Sequence, residues 1–185
     1  MARAGVSQET ALGFADEMRV GLRGLVRRVW GRRGVKVHQK LELAYCWRYL
    51  FLVVNAQGGQ LHWCWLNSMA GEQMAAAVGG LKKYTQVATL VWDGAPGHQD
   101  EGVRELGMPL IGLPPYRPQL NPAERVFQEV WRAIEGKVYV TLEDKMTAVS
   151  EFLQELEAEP ERVRSLTWWD WIKTAVQQLP LNYAA

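Results

Sequence analysis

Three acidic residues carry the first chemical signal in this sequence. Asp93 comes directly after the apolar run LVW, and the chain then breaks into GAPG. A carboxylate at the tip of a buried strand costs free energy unless something compensates its charge. Asp16 follows the apolar stretch LGFA, and Glu124 lies near the start of a predicted helix. Three carboxylates that converged on one place would repel each other and raise each other's pKa values.

A pair of divalent cations would relieve this repulsion. Ligation by oxygen alone suits Mg²⁺ or Mn²⁺, and two such ions support phosphodiester chemistry. Each residue also has a plainer explanation, which the sequence leaves open. Asp16 suits a turn and Asp93 an Asx turn, Glu124 suits a capping box, and His98 suits the cap of the helix that it begins.

Periodicity predicts the strands that position the two aspartates. In ALGFADE, alternate residues place Leu12, Phe14 and Asp16 on one side of a strand that ends at Asp16. The runs YLFLVVN and QLHWCWLN, separated by AQGG, predict an antiparallel hairpin with positive φ at Gly58 and Gly59. The unbroken apolar run VATLVW indicates a strand with a central position in the sheet.

Helices connect and follow these strands. AGEQMAAAVGGLKKY predicts a helix that ends near Tyr84, and residues 98–106 predict a second one before the short strand PLIGL and the loop PPYRPQ. Asn121 as N-cap, Pro122 at the first helical position and Glu124 at capping-box spacing predict the start of a third. Its apolar stripe consists of Val126, Phe127, Val130, Trp131 and Ile134.

The order of elements predicts an α/β fold with a mixed five-stranded sheet flanked by helices, in which an antiparallel hairpin precedes parallel strands joined by helical crossovers. The crossover rule places the fourth strand parallel and adjacent to the first. Asp16 and Asp93 would then lie where open α/β sheets bind ligands, with Glu124 leaning over the same edge. We assign residues 1–140 to this core. Residues 141–185, with an amphipathic segment from 142 to about 156, would form a C-terminal helical extension of the same domain.

Composition and charge limit the classes of protein to which the chain can belong. With 48% hydrophobic and 22% charged residues, the 185-residue chain suits one soluble domain. No apolar run approaches a membrane span, and the N-terminus lacks a signal-peptide layout. Cys46 and Cys64 form no CxxC pair and indicate reduced thiols, although the two could still bridge. The segment from Arg19 to Lys40 contains eight basic residues and no acidic one, which suits a phosphate backbone or a solvated connector.

Three blocks of the sequence resemble the DDE catalytic domain of mariner-superfamily transposases, in particular the bacterial insertion sequence six-thirty branch. The blocks are FADE, VWDGAPGH and LPPYRPQLNPAERVFQEVW. The residues that match the family pattern are Asp16, Glu17, Asp93, Ala95, His98, Pro118, Leu120, Asn121, Pro122 and Glu124. The segment RRVWGRRG matches a further Trp-x-x-x-Gly pattern at Trp30 and Gly34. The similarity covers residues 12–140.

The resemblance implies a ribonuclease-H-like fold, two Mg²⁺ ions that Mn²⁺ can replace, and DNA cleavage with strand transfer. The catalytic, metal-holding residues would be Asp16, Asp93 and Glu124. The residues that support them would be Glu17, His98 and Asn121. The residues that contact DNA would be Arg19, Arg23, Arg27, Arg28, Trp30, Arg32, Arg33, Lys36 and Arg117. The implied partners are transposon-end and target DNA and a second copy of the chain, in the cytoplasm of a bacterium.

The sequence departs from the family pattern at several points. Gly94 stands where the family usually has Asn, and the interval from Asp93 to Glu124 is a little short. Residues 1–10 cannot supply the family's N-terminal helix-turn-helix domains, so we expect a separately encoded recognition half. Two alternatives stay open: a ribonuclease-H-like nuclease that cuts without joining, and an inactive remnant that binds DNA or a partner.

Overall fold

The computed structural model contains a five-stranded sheet with helices on both faces. It describes residues 6–23, 30, 32–36, 38, 44–114 and 117–179. The strands are β1 (Leu12–Gly21), β2 (Trp47–Asn55), β3 (Gln60–Leu66), β4 (Thr89–Trp92) and β5 (Leu110–Gly112). The helices are α1 (Gly71–Tyr84), α2 (Glu101–Glu105), α3 (Pro122–Ile134), α4 (Leu142–Glu157), α5 (Pro160–Thr167) and α6 (Asp170–Gln177). Short 3-10 helices lie at Pro96–Gln99 and Pro118–Leu120.

The strand order is β3-β2-β1-β4-β5. β2 pairs antiparallel with β1 and β3, whereas β4 pairs parallel with β1 and β5. The predicted mixed sheet is therefore confirmed, as is the adjacency of the first and fourth strands. VATLVW forms an interior strand, as predicted: β4 is fully buried and lies between β1 and β5, while β1 is the middle strand because the β2–β3 hairpin extends the sheet on its other side.

Asp16 does not end its strand, contrary to the prediction. β1 continues to Gly21 because its antiparallel pairing with β2 continues that far. The parallel partner β4 is much shorter, and its last pair with β1 joins Val91 to Phe14. Asp16 therefore lies two residues beyond the end of the β1–β4 ladder, which places it next to the loop that follows β4.

The two faces of β1 contribute to two cores. Phe14 and Met18 pack in a cluster with buried side chains of α3, α4, α5 and α6, whereas Ala15 packs in a second cluster with side chains of α1 and α2. Because residues two apart on a strand share a face, Asp16 lies on the same face as Phe14 and Met18. The carboxyl group of Asp16 is thereby directed to the side of the sheet on which α3 packs.

The turn between β2 and β3 uses one glycine in the left-handed region, and the prediction for the other is wrong. Gly59 has a φ of 68°, but Gly58 does not have a positive φ. The N–H of Gly58 donates instead to the side-chain oxygen of Asn55, at 3.0 Å. A Cβ added to Gly59 would lie 2.2 Å from the carbonyl oxygen of Pro160, so the turn packs tightly against α5.

Helix boundaries follow local capping signals. α1 ends at Tyr84 as predicted, but the helix predicted over 98–106 begins later, because Asp100 caps α2 by accepting from the N–H of Gly102. α3 begins at Pro122 as predicted, and its apolar stripe is buried except at the half-buried Trp131. Thr141 forms a capping box with Asp144 at the start of α4, a signal that the sequence reading missed.

The C-terminal helices pack on the same face of the sheet as α3. Val149 and Leu153 of α4, Val163 of α5 and Ile172 of α6 are fully buried in the cluster that also contains Phe14. Across the described parts of the chain, no helix is long and apolar enough to cross a membrane. Cys46 and Cys64 are both free cysteines.

Candidate active site

Asp16 has the most perturbed carboxyl group at the edge of the sheet. Its pKa is raised from 3.8 to about 7, chiefly by burial. A hydrogen bond from the backbone N–H of Glu17, at 2.8 Å, opposes this shift, and the negative charges of Glu124, Glu17 and Asp93 add to it. Three other carboxylates thus lie close enough to influence the ionisation of Asp16.

Asp93 leaves β4 and is held by the loop that it begins. Its Oδ1 accepts from the N–H of Ala95 at 3.1 Å, which is the Asx-turn contact that the plainer explanation expects. The same oxygen lies 2.8 Å from Nδ1 of His98. The side chain of Asp93 remains 57% exposed, so its second oxygen is accessible from solvent.

Asn121 connects the start of α3 to β1. Its side-chain oxygen accepts from the N–H of Ala123 at 3.1 Å, which confirms the predicted N-cap. Its side-chain nitrogen donates to the carbonyl oxygen of Ala15 at 2.9 Å, and the whole residue is buried. One amide therefore fixes α3 against the backbone of the residue that precedes Asp16.

Glu124 does not form the capping box that its spacing predicts. The backbone N–H of Asn121, which such a box requires, donates instead to the carbonyl oxygen of Pro118 at 2.8 Å. The Glu124 carboxylate is consequently not used to cap α3. Burial raises the pKa of Glu124, and its proximity to Asp16 contributes to the raised pKa of that residue.

Asp16, Asp93 and Glu124 line one cavity of about 530 Å³, together with Arg117 and Gly94. The structure thus brings together the three carboxylates that the sequence singles out. Their oxygen atoms form a donor set suited to a hard divalent cation, which would also relieve the repulsion that raises the pKa of Asp16. Among the residues with described positions, however, no three acidic, histidine or cysteine side chains are already arranged to hold a metal ion.

Asp93 has protein contacts of its own within this cavity. Its Oδ1 contacts the N–H of Ala95 and Nδ1 of His98, while its side chain stays 57% exposed. The three residues fit a divalent metal by their chemistry and by the cavity that they share.

His98 is a buried residue that links two of the acidic side chains. Its Nε2 lies 3.1 Å from Oε2 of Glu17, and its Nδ1 faces both the side-chain and the backbone oxygen of Asp93. Because both ring nitrogens face acceptors, the doubly protonated imidazolium satisfies both contacts. Burial lowers the pKa of His98, but Glu17 and Asp93 outweigh burial and the net shift is upward.

Trp92 also contacts Glu17 and His98, and the sequence did not predict this role. Its indole N–H donates to Oε1 of Glu17 at 3.2 Å, and its ring stacks on His98 with centroids 3.6 Å apart. Glu17 therefore accepts from Trp92 and His98 while its side chain is almost fully buried. No local pattern could indicate these contacts, because Trp92 and Glu17 are 75 residues apart in sequence.

The predicted DNA-contacting residues are only partly described. Exposed positions are found for Arg19, Arg23, Trp30, Arg32, Arg33, Lys36 and Arg117. Arg27, Arg28 and Lys40 lie outside the described residues. Among the described members of the set, Arg117 lines the cavity that contains the three carboxylates.

Comparison with a family model identifies the family to which the chain belongs. The model described as DDE superfamily endonuclease matches residues 11–146, which include all three carboxylates. The chain belongs to the DDE superfamily endonuclease family. The family match confirms the DDE catalytic domain that the sequence blocks predicted. Among curated proteins, none is significantly similar to it in sequence.

Solved structures show which fold this DDE superfamily endonuclease shares. The Mos1 transposase paired-end complex with left transposon end has a TM-score of 0.62 at 14% identity, over 85% of this chain and 51% of that chain. The Mos1 mariner paired end complex with Mn has a TM-score of 0.61 at 11% identity, over 90% and 55%. The catalytic domain of Mos1 mariner transposase has a TM-score of 0.55 at 16% identity, over 85% and 76%.

These similarities confirm the ribonuclease-H-like fold. At such low identity they show the fold alone. The chain spans about half the length of the Mos1 chains in the two paired-end complexes.

Proposed function

We propose that this chain is a transposase catalytic domain that cleaves DNA and joins the cleaved strand to a target, with Asp16, Asp93 and Glu124 holding two Mg²⁺ ions that Mn²⁺ can replace. The observation that carries the proposal is that these three carboxylates, from β1, the end of β4 and the first turn of α3, line one cavity. It is supported by the family of the chain and by the Mos1 mariner paired end complexes with Mn and with Mg.

The chain's own residues would prepare this site. Asp16, with a pKa of about 7, would lose its proton readily once positive charge entered the cavity. The Asn121 amide holds the start of α3 against β1, which fixes the backbone from which Glu124 projects. When bound, two divalent cations would activate the attacking hydroxyl and stabilise the leaving oxygen of the phosphodiester.

Two further residues would position the substrate and the loop. Arg117 lines the cavity and carries a positive charge that suits a DNA phosphate. His98 would hold the loop after β4 against Glu17, so that Asp93 has a defined starting position. The wider assembly would contain transposon-end and target DNA, two copies of this chain and a helix-turn-helix recognition half, in the bacterial cytoplasm.

A joining assay tests this function against the nuclease alternative. Labelled oligodeoxynucleotides with free 3′-hydroxyl ends would be incubated with supercoiled plasmid, the full chain and Mg²⁺ or Mn²⁺. We expect nicked plasmid and labelled plasmid, and we expect Asp93→Asn to abolish both while Glu105→Gln, an exposed carboxylate on α2, changes neither. Nicking without joining would establish a nuclease instead. The absence of both products would contradict an active catalytic domain.

A further inference from the structure

A second cavity, of about 860 Å³, lies beside the carboxylate cavity and shares Glu124 with it. It is lined by the second half of β1, by the start of β2 and by α3. We call it the aromatic groove, and the residues that define it here are Arg19, Arg23, Tyr45, Trp47 and Trp131. Because Glu124 lines both cavities, the groove leads directly from the candidate active site.

Two arginines of the groove lie over its aromatic rings. The guanidinium carbon of Arg19 is 5.5 Å from the ring centroid of Trp47. That of Arg23 is 5.3 Å from the ring of Tyr45, and its Nη1 donates to the Tyr45 hydroxyl at 2.6 Å. Tyr45 is 78% exposed and Trp47 is 40% exposed, so flat apolar surface and positive charge reach solvent together.

This combination matches one class of ligand. Single-stranded nucleic acid is bound by aromatic rings on which bases stack and by positive charges that follow the phosphates. A paired base within a duplex has both faces covered by its neighbours and cannot stack on a protein ring without leaving the helix. The groove therefore fits an unpaired nucleotide better than an intact duplex.

We propose that the aromatic groove binds an unpaired nucleotide of the DNA strand that occupies the candidate active site, an inference that rests on the proposed function. The base stacks on Trp47 or Tyr45, and the adjoining phosphate contacts Arg19 or Arg23. Glu124 also lines the groove and repels phosphate, so the phosphate lies toward the arginines. The groove thereby holds the strand open next to the carboxylates.

Binding measurements with three probes test this proposal. The full chain, in EDTA so that no cleavage occurs, would be titrated against a labelled single-stranded oligodeoxynucleotide of mixed sequence, an abasic strand with the same number of phosphates, and a duplex of equal length. We expect the base-bearing strand to bind about fivefold or more tightly than the abasic strand, because one stacked base contributes at least that factor.

Substitutions assign the preference to the groove. Tyr45→Ala and Trp47→Ala should reduce the preference for the base-bearing strand, while Trp47→Phe should retain it because a ring remains. Tyr45 lies outside the strands, so its substitution tests the proposal even if Trp47→Ala fails to fold. The matched control is Tyr84→Ala, which removes an exposed ring with Lys83 at 4.8 Å from its centroid, at the end of α1.

The outcomes separate this inference from the proposed function. Equal affinity of wild-type protein for abasic and base-bearing strands would overturn the inference, as would an equal loss of preference in Tyr84→Ala. Asp93→Asn, which should abolish cleavage, should leave the base preference unchanged. A wild-type chain that prefers the base-bearing strand but neither cuts nor joins DNA would support the groove and contradict the proposed function.

Discussion

Asp16 couples the stability of the metal-free protein to pH. Its pKa is 3.8 in the unfolded chain and about 7 in the folded one, so the folded state binds the proton more tightly. The stability that this proton contributes is fully present below pH 3.8 and is lost as the pH rises through 7. Asp16→Asn should therefore raise the melting temperature in EDTA by several degrees at pH 8 and by less at pH 5.

Calorimetry from pH 5 to pH 8 would measure this difference. Glu105→Gln removes an exposed carboxylate and should leave the pH profile of wild type unchanged. An Asp16→Asn protein with the same pH profile as wild type would show that Asp16 does not ionise near neutral pH.

His98, whose ionised form is positive where that of Asp16 is negative, also makes the stability of the protein depend on pH. Its folded pKa is raised above 6.5 by Glu17 and Asp93, against the effect of burial. The stability that it contributes is therefore fully present below pH 6.5 and declines as the pH rises through the folded value. His98→Ala should destabilise the protein by about 3 kcal/mol near pH 6, because it leaves the Glu17 carboxylate buried without its charged partner.

Denaturant unfolding at several pH values would measure the free energy of unfolding of His98→Ala and of wild type. The difference between these two free energies should become smaller as the pH rises. His62 provides a control of opposite sign, because burial lowers its pKa and its charged form disfavours the fold. A difference that stays constant with pH would mean that the pKa of His98 is the same in the folded and the unfolded protein, which would contradict the upward shift.

At the scale of elements, Asn121 determines how α3 meets the sheet. Asn121→Ala removes the cap of α3 and the contact with the Ala15 carbonyl, so it should cost about 1–2 kcal/mol of stability and also lower cleavage. Thr141→Ala removes the capping box of α4, away from the carboxylates, and should cost about 1 kcal/mol without affecting cleavage. Parallel unfolding and cleavage measurements compare the two, and equal loss of cleavage in both would contradict a positioning role for Asn121.

The same elements show what sequence could predict. The end of β4 before Asp93 and the start of α3 before Glu124 follow from local signals: an apolar run broken by GAPG, and an Asn-Pro cap. The length of β1 does not follow from local signals, because it is determined by the pairing of β1 with β2. Asp16 consequently lies within the strand. The contacts of Glu17 with Trp92 and His98 join residues 75 and 81 positions apart, so only tertiary structure reveals them.

At the scale of the whole molecule, charge is distributed unevenly although its formal net value is only +1. Exposed Arg32 and Arg33 belong to the basic segment, and we expect them to contact the DNA backbone without reading its sequence. Arg32→Glu with Arg33→Glu should weaken binding about equally on all sequences and flatten its salt dependence. Arg104→Glu on α2 serves as the control, and a change in base preference in a competition assay would contradict the assignment.

We propose that Asp16, Asp93 and Glu124 together hold the divalent cations. The measurement that tests it most directly is anomalous diffraction from crystals of the full chain soaked in Mn²⁺. We expect two anomalous peaks, about 3.5–4 Å apart, within ligand distance of these carboxylates. Mn²⁺ bound at other carboxylates while this cavity stays empty would contradict the account.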